Sequence, residues 1–289
     1  MIEEMQTTLQ LYPQNPLPET IQISAATIRG TRKYQEDCMR YLGTPQGVLG
    51  VVCDGMGGKA KGELASSCAM ETLLEYYQEE PKPLKDARRF FEQVISLMDR
   101  KVARLKDEEG NYLDSGTTVV SVMIEEDQMY FMSVGDSKIY LIREGQIYAL
   151  TREHNYKLLL EESLQENAIT YEEYERELVR GEALISYLGM NGVKVMDISP
   201  QPLTLKDGDV TLLCSDGLYK ALTEEQIVNI VEACEEEFTE TAGTIVQTIL
   251  NYVPHALDNT SVLCFKYIEA NQMNETEIVG GNDNETSEM

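Results

Sequence analysis

The sequence predicts an α+β fold, and three observations carry that prediction. Short β-rich runs recur along the chain, several of them joined by links of only two or three residues. Such links suit antiparallel neighbours, because a parallel pair needs a crossover of about a dozen residues or more. The helical stretches are fewer and longer, and they are inserted in pairs between groups of strands rather than after every strand. The third observation is size: 289 residues, 42% of them apolar, suffice for one substantial core.

The elements follow in order. Residues 22–29 and 48–53 are rich in Val, Ile, Thr and other strand formers and are bounded by Gly, Asp or Ser, which predicts strands. Helices are predicted over 62–79 and 84–106. In the second, Phe91, Val94, Ile95, Met98 and Val102 recur at three- and four-residue spacings, one face of a helix. Strands at 117–124, 129–134, 137–143 and 146–150 come next, linked by Glu125-Glu126-Asp127, Gly135-Asp136 and Glu144-Gly145. Residues 155–180 are dense in Glu, are expected to be helical in part, and separate two strand-rich halves. Lys206-Asp207-Gly208-Asp209 has the form of a hairpin link before a strand at 210–214. Helices at 223–235 and 239–252 follow, the first with Thr223 and Gln226 placed for a capping box, and a strand at 261–267 closes the set. No internal repeat is present. One domain is therefore expected over 21–268, with 1–20 as an N-terminal extension and 155–180 as an acidic insertion. The polar, acidic tail from 269 to 289 has almost nothing to bury and is expected to be disordered.

Charge and composition exclude several functions. Lys and Arg number 24 against 50 Asp and Glu, a formal charge of −26. Such a surface repels nucleic-acid phosphates and anionic membranes, so neither is an expected partner. No apolar run approaches the ~20 residues that span a bilayer. Residues 1–20 lack the basic start and apolar stretch of a secretory signal, so a cytoplasmic protein, a monomer, is the expectation. The six cysteines form no C-x-x-C pair, and Cys53, Cys214 and Cys264 lie in apolar strand-like runs, as small buried hydrophobes do. With only His154 and His255 available, an imidazole- or thiolate-built metal site is not expected, and any metal must be held by oxygen.

The informative pattern is a set of carboxylates at strand ends. The run 48–53 leads into Asp54-Gly55-Met56-Gly57-Gly58, and 210–214 into Ser215-Asp216-Gly217. Asp258-Asn259 precedes the last strand, Gly135-Asp136 lies between two strands, and Glu36-Asp37 follows the first by a few residues. Carboxylates brought together repel one another unless cations neutralise them. Oxygen-only ligands suit Mg²⁺ or Mn²⁺, and a pair of such ions acidifies a bridging water and clamps a phosphoryl group. Phosphate-ester hydrolysis is then the natural reaction class. A single Asp-Gly is a common turn, and Asp207-Gly208 is taken as one; the combination and its order carry the reading.

That order resembles the metal-dependent serine/threonine protein phosphatases of type 2C, the PPM family, in their compact bacterial form. The matching residues are Arg32-x-x-x-Glu36-Asp37, Val52-x-Asp54-Gly55-Met56-Gly57-Gly58, Ser115-Gly116-Thr117-Thr118, Val134-Gly135-Asp136-Ser137, Leu150-Thr151-x-x-His154, Ser215-Asp216-Gly217-Leu218 and Asp258-Asn259-x-Ser261. The resemblance spans about residues 24–267. It implies a four-layer αββα sandwich of two antiparallel sheets flanked by helices, with a dinuclear Mg²⁺ or Mn²⁺ centre at one end. By that likeness Asp54 bridges the two ions, Gly55 offers its carbonyl to one, and Asp216 and Asp258 bind the other. Glu36 and Asp37 hold metal-bound waters or one ion, Asp136 matches a third, weaker site, and Arg32 matches the phosphate-binding arginine, whose planar fork suits two phosphate oxygens. The Ser115-Gly116-Thr117-Thr118 motif and His154 are expected to be structural.

Two departures bear on mechanism and substrate. Met56 stands where some relatives carry His, and residues 178–187 lack the His-Pro-x-Arg-Asn-like stretch of many bacterial members. The Glu-rich 155–180 falls where the family has its mobile flap, and its charge predicts a preference for basic or neutral phosphosites. The implied partners are phosphorylated proteins and a serine/threonine kinase. A non-catalytic, phosphoprotein-binding regulator of the same fold and a hydrolase of small phosphoesters are the competing readings.

Overall fold

The computed structural model describes residues 17–57, 61–252 and 257–270. In chain order the elements are β1 (Ile21–Ile28), β2 (Asp37–Thr44), β3 (Gly47–Met56), α1 (Lys61–Glu79), α2 (Ala87–Val102), β4 (Gly116–Thr117), β5 (Val119–Glu125), β6 (Gln128–Val134), β7 (Lys138–Arg143) and β8 (Gln146–Ala149). There follow α3 (Tyr156–Gln165), α4 (Tyr171–Glu177), β9 (Asp197–Ile198), β10 (Leu203–Thr204), β11 (Val210–Cys214), α5 (Asp216–Ala221), α6 (Glu224–Ala233), α7 (Thr241–Tyr252) and β12 (Thr260–Tyr267). One sheet runs β1-β12-β11-β7-β8 and the other β10-β6-β5-β3-β2, with β4 on β3 and β9 on β6. The neighbours within both sheets pair antiparallel.

Three apolar layers hold this together. Val48, Val52, Val122, Ile139, Leu213 and Leu263 fill the space between the sheets. Leu73, Phe91, Ile95 and Met98 of α1 and α2 cover the outer face of the second sheet, and Ile227, Ile245 and Ile249 of α6 and α7 cover that of the first. The central strand β3 is buried on both faces, which is why its sequence is an unbroken apolar run instead of an alternating one. Gly50 in that strand makes room for the opposite sheet: a β-carbon there would sit 2.4 Å from the Phe265 ring. The predicted four-layer αββα sandwich is the fold observed.

Several local expectations change. β2 was not foreseen, because Asp37 and Arg40 interrupt its apolar pattern. The predicted strand at 117–124 is divided at Thr118. Gly135-Asp136 is a link between sheets, not a hairpin, since β6 and β7 lie in different sheets. Asp207-Gly208 is a turn as expected, with Asp209 N–H bonded to the Lys206 carbonyl, but it too passes between sheets. The foreseen capping box is present: Thr223 and Gln226 exchange their side-chain and backbone bonds at the start of α6. The 155–180 segment contains α3 and α4, α4 with a capping box of its own between Thr170 and Glu173. Most of the N-terminal extension, Gly58, His255 and nearly all of the acidic tail lie outside the described residues.

Candidate active site

One end of the sandwich collects the predicted residues. The end of β3 brings Asp54 beside Asp37 at the start of β2, its direct cross-strand partner. The end of β11 leads into Asp216 at the first position of α5, and Asp258 lies just before β12. Asp136 sits in the link from β6 to β7 at the same end. A cavity of about 710 Å³, lined by Arg143, Asp209, Phe238 and Lys266, opens at the opposite end and includes none of these residues.

Small polar residues fix the backbone on which the acids stand. The Asp54 N–H donates to Thr118 Oγ1 at 3.0 Å, and the Asp54 carbonyl accepts from Thr118 N–H at 2.9 Å and Thr117 Oγ1 at 3.0 Å. The strand breaks at Thr118 because that residue turns its hydroxyl to Asp54 and to Ser137 Oγ, 2.7 Å away. Ser215 Oγ donates to Asp37 Oδ2 at 2.7 Å and accepts from Ser261 N–H. Asn259 is the hub of the Arg29–Glu36 loop. Its Oδ1 accepts from Glu36 N–H at 2.8 Å, and its Nδ2 donates to the carbonyls of Arg29 and Tyr34. Asn259, Ser215 and Ser261 hold these positions beside the acids; in the sequence only their adjacency to Asp258 and Asp216 points to such a role.

Two close approaches require glycine. A β-carbon on Gly55 would stand 2.2 Å from the Gly62 carbonyl oxygen, and one on Gly217 would stand 2.3 Å from the Asn259 carbonyl oxygen. The first lets Glu36 reach α1, where its Oε1 accepts from Gly62 N–H at 3.0 Å. One oxygen of Glu36 is thus committed to that helix start. His154 is fully buried. Gly135 N–H donates to its Nδ1 at 3.1 Å, so Nε2 carries the proton and faces Asp197 Oδ2 at 3.3 Å. This ring props the turn that carries Asp136.

The electrostatics of the cluster are those of anions held together. Burial first, and then Asp216 and Asp258, raise Asp37 to about 7, against the hydrogen bonds from Ser215 and Ser261. Asp136 is pushed up to about 6 by burial and by Asp216. Asp54 is raised well above the ordinary value by burial and by the charges of Asp37, Asp216, Asp136 and Asp258. Asp37 Oδ1 is buried with no hydrogen-bond partner. Two side-chain cations answer part of this charge: Arg32 Nη2 lies 2.5 Å from Asp258 Oδ2, and Lys220 Nζ lies 2.5 Å from Asp216 Oδ2. In these rotamers no three acidic, His or Cys side chains among the described residues form a ready-made metal cage. The donor set is nonetheless oxygen-only, mutually repelling and partly orphaned, which fits hard divalent cations.

An αββα sandwich with a buried acidic cluster at one end of its two sheets is the class of protein that fold and site define. The sequence model of protein phosphatase 2C matches residues 29–255, and the chain belongs to that family. A serine/threonine phosphatase, stp, from Listeria monocytogenes is 27% identical over 215 residues, covering 74% of this chain and 82% of its own. Protein phosphatase PhpP of Streptococcus pneumoniae is 27% identical over 247 residues, covering 84% and 96%. Among solved structures, the S. agalactiae serine/threonine phosphatase superposes with a TM-score of 0.73 at 24% identity, covering 86% of this chain and all of that one. The catalytic domain of the phosphatase PstP, in complex with two manganese ions, gives 0.67 at 24% identity, covering 86% and 99%. At these identities the structural matches speak for the fold. Among the described residues no helix is long and apolar enough to cross a membrane.

Proposed function

We propose that this protein hydrolyses phosphoserine and phosphothreonine in proteins, using two Mg²⁺ or Mn²⁺ ions at the acidic end of the sandwich, and that it opposes a serine/threonine kinase in the cytoplasm. The observation that carries the reading is the position of Asp54, a partly buried carboxylate that feels the charge of Asp37, Asp136, Asp216 and Asp258 together. Family membership and the names of the curated relatives support it. Asp54 and the Gly55 carbonyl, Asp216 and Asp258, with Glu36 and Asp37 behind them, are the residues that would hold the ions; Asp136 would serve a weaker third. When bound, the ions supply an acidified water and neutralise charge on the phosphoryl group.

The remaining roles fall to this chain's own groups. Arg32 is 60% exposed on its side chain, so its guanidinium is free to swing from Asp258 and take two phosphate oxygens in its fork. The Asn259 bonds hold the loop that carries Arg32 and Glu36 in place during that exchange. A covalent phospho-enzyme through cysteine is disfavoured, since burial raises the thiols of Cys53, Cys214 and Cys264. Met56 offers no proton to the leaving alkoxide.

Phosphate release from a phosphothreonine peptide tests the reading. Release with Mn²⁺ is expected, lost with EDTA and in Asp216→Asn. No release by folded protein from basic, neutral and acidic peptides overturns it in favour of the phosphoprotein-binding regulator.

A further inference from the structure

Lys220 has a position that the proposed chemistry does not use. Asp216 and Lys220 are four residues apart, which puts both on one face of α5. The Lys220 ammonium lies 2.5 Å from Asp216 Oδ2 and 3.9 Å from Glu182 Oε2. Burial opposes its charge, yet the bond to Asp216 and the fields of Asp216, Asp136 and Glu182 raise it above the ordinary lysine value. Glu182 belongs to the segment after α4, and that segment is tied to the start of α3: the carbonyls of Ala183 and Gly181 accept from the N–H groups of Tyr156 and Lys157.

We propose that Lys220 is a resident counter-cation of the acidic cluster, which competes with a divalent ion for Asp216 and passes to Glu182 when displaced, so that ion loading is coupled to the acidic segment of α3 and α4. The proposal rests on the metal-dependent reading above. An ammonium 2.5 Å from Asp216 and a divalent cation on the same carboxylate repel strongly at such range, so each weakens the other's hold. The lysine stem is long and flexible, with more than one rotamer available to it. Among the described residues, Glu182 is an acid within reach of Lys220 that is not one of the predicted ion-binding acids. Displacement then brings positive charge onto the segment that leads back to α3, where it strengthens the Lys220–Glu182 pair.

Calorimetric titration of the full chain with Mn²⁺ tests this, with Lys220→Gln, Lys220→Arg and Glu182→Gln beside the wild type. Lys220→Gln is expected to bind Mn²⁺ about fivefold more tightly, the scale of releasing one partly exposed ion pair. Lys220→Arg keeps the charge and is expected to stay near the wild type, and Glu182→Gln to bind more weakly. Trypsin cleavage after Arg176 and Arg180 reads the coupling: Mn²⁺ should change its rate in the wild type and not in Glu182→Gln. Equal or weaker Mn²⁺ binding by Lys220→Gln, while Asp216→Asn has lost it, overturns the proposal and leaves the metal reading standing. A wild type that takes up no more Mn²⁺ than Asp216→Asn overturns both.

Discussion

At the scale of single residues, the acids of the site depend on polar neighbours whose loss is measurable. Asn259 satisfies the Glu36 N–H and the Arg29 and Tyr34 carbonyls from one side chain. Asn259→Ala leaves these groups short of partners and is expected to cost about 2–3 kcal/mol, read as a lower midpoint in urea unfolding. Asp197 gives a pH prediction of definite sign. Burial works against its ionisation, but the imidazole of His154 beside it and the hydrogen bonds from Arg152 outweigh that cost and hold its carboxyl well below the usual range. Its folded pKa is thus depressed below the unfolded value near 3.8, so its contribution is complete above that value and is lost as pH falls toward the folded one. Melting curves between about pH 4 and 2 should show the wild type losing stability more steeply than Asp197→Asn. Parallel slopes would remove Asp197 from the acid limb.

At the scale of elements, what was legible followed from periodicity and what was missed followed from charge. The α1, α2, α6 and α7 helices and eight strand-like runs were visible because apolar residues repeat at helical or strand spacing within them. β2 was hidden, since a buried Asp37 and a half-buried Arg40 look like loop residues until the acidic site is known. The order of the acids named the site, but sequence spacing does not say which strands share a sheet, so the Gly135-Asp136 and Asp207-Gly208 links were read as hairpin-like. α5 was also missed, its first residues having the composition of a turn. That short helix aims Asp216, and its start depends on Gly217. A methyl there meets the Asn259 carbonyl oxygen and Thr260 Oγ1, each at 2.3 Å. Gly217→Ala is expected to destabilise the fold by about 2 kcal/mol through overpacking and to weaken Mn²⁺ binding, because relief of the clash moves Asp216. Unchanged Mn²⁺ affinity in a folded variant would show that α5 tolerates the shift.

At the scale of the whole molecule, a formal charge of −26 raises the free energy of the compact state and sets what approaches it. Ions bound by the folded chain and not by the unfolded one stabilise it: Mn²⁺ at about a hundredfold its dissociation constant contributes about 2.7 kcal/mol. A rise in melting temperature with Mn²⁺, reversed by EDTA and much reduced in Asp216→Asn, would separate site binding from diffuse attraction to an acidic surface. The same surface acts on substrates. Residues 155–180 carry seven glutamates against three basic side chains, and α4 buries none of its residues, so its charge faces solvent. An acidic phosphopeptide approaching this segment is repelled and a basic one is drawn in, chiefly through association rate. Charges at this exposure are screened over about 10 Å at 0.1 M salt, so the discrimination should shrink as salt rises while the turnover number changes little. Measuring kcat/KM for a basic and an acidic phosphothreonine peptide across that range decides the matter. A higher value for the basic peptide that converges with salt is expected. A salt-independent preference would instead assign selectivity to contacts at the site, and faster turnover of the acidic peptide would show that the segment does not face the substrate.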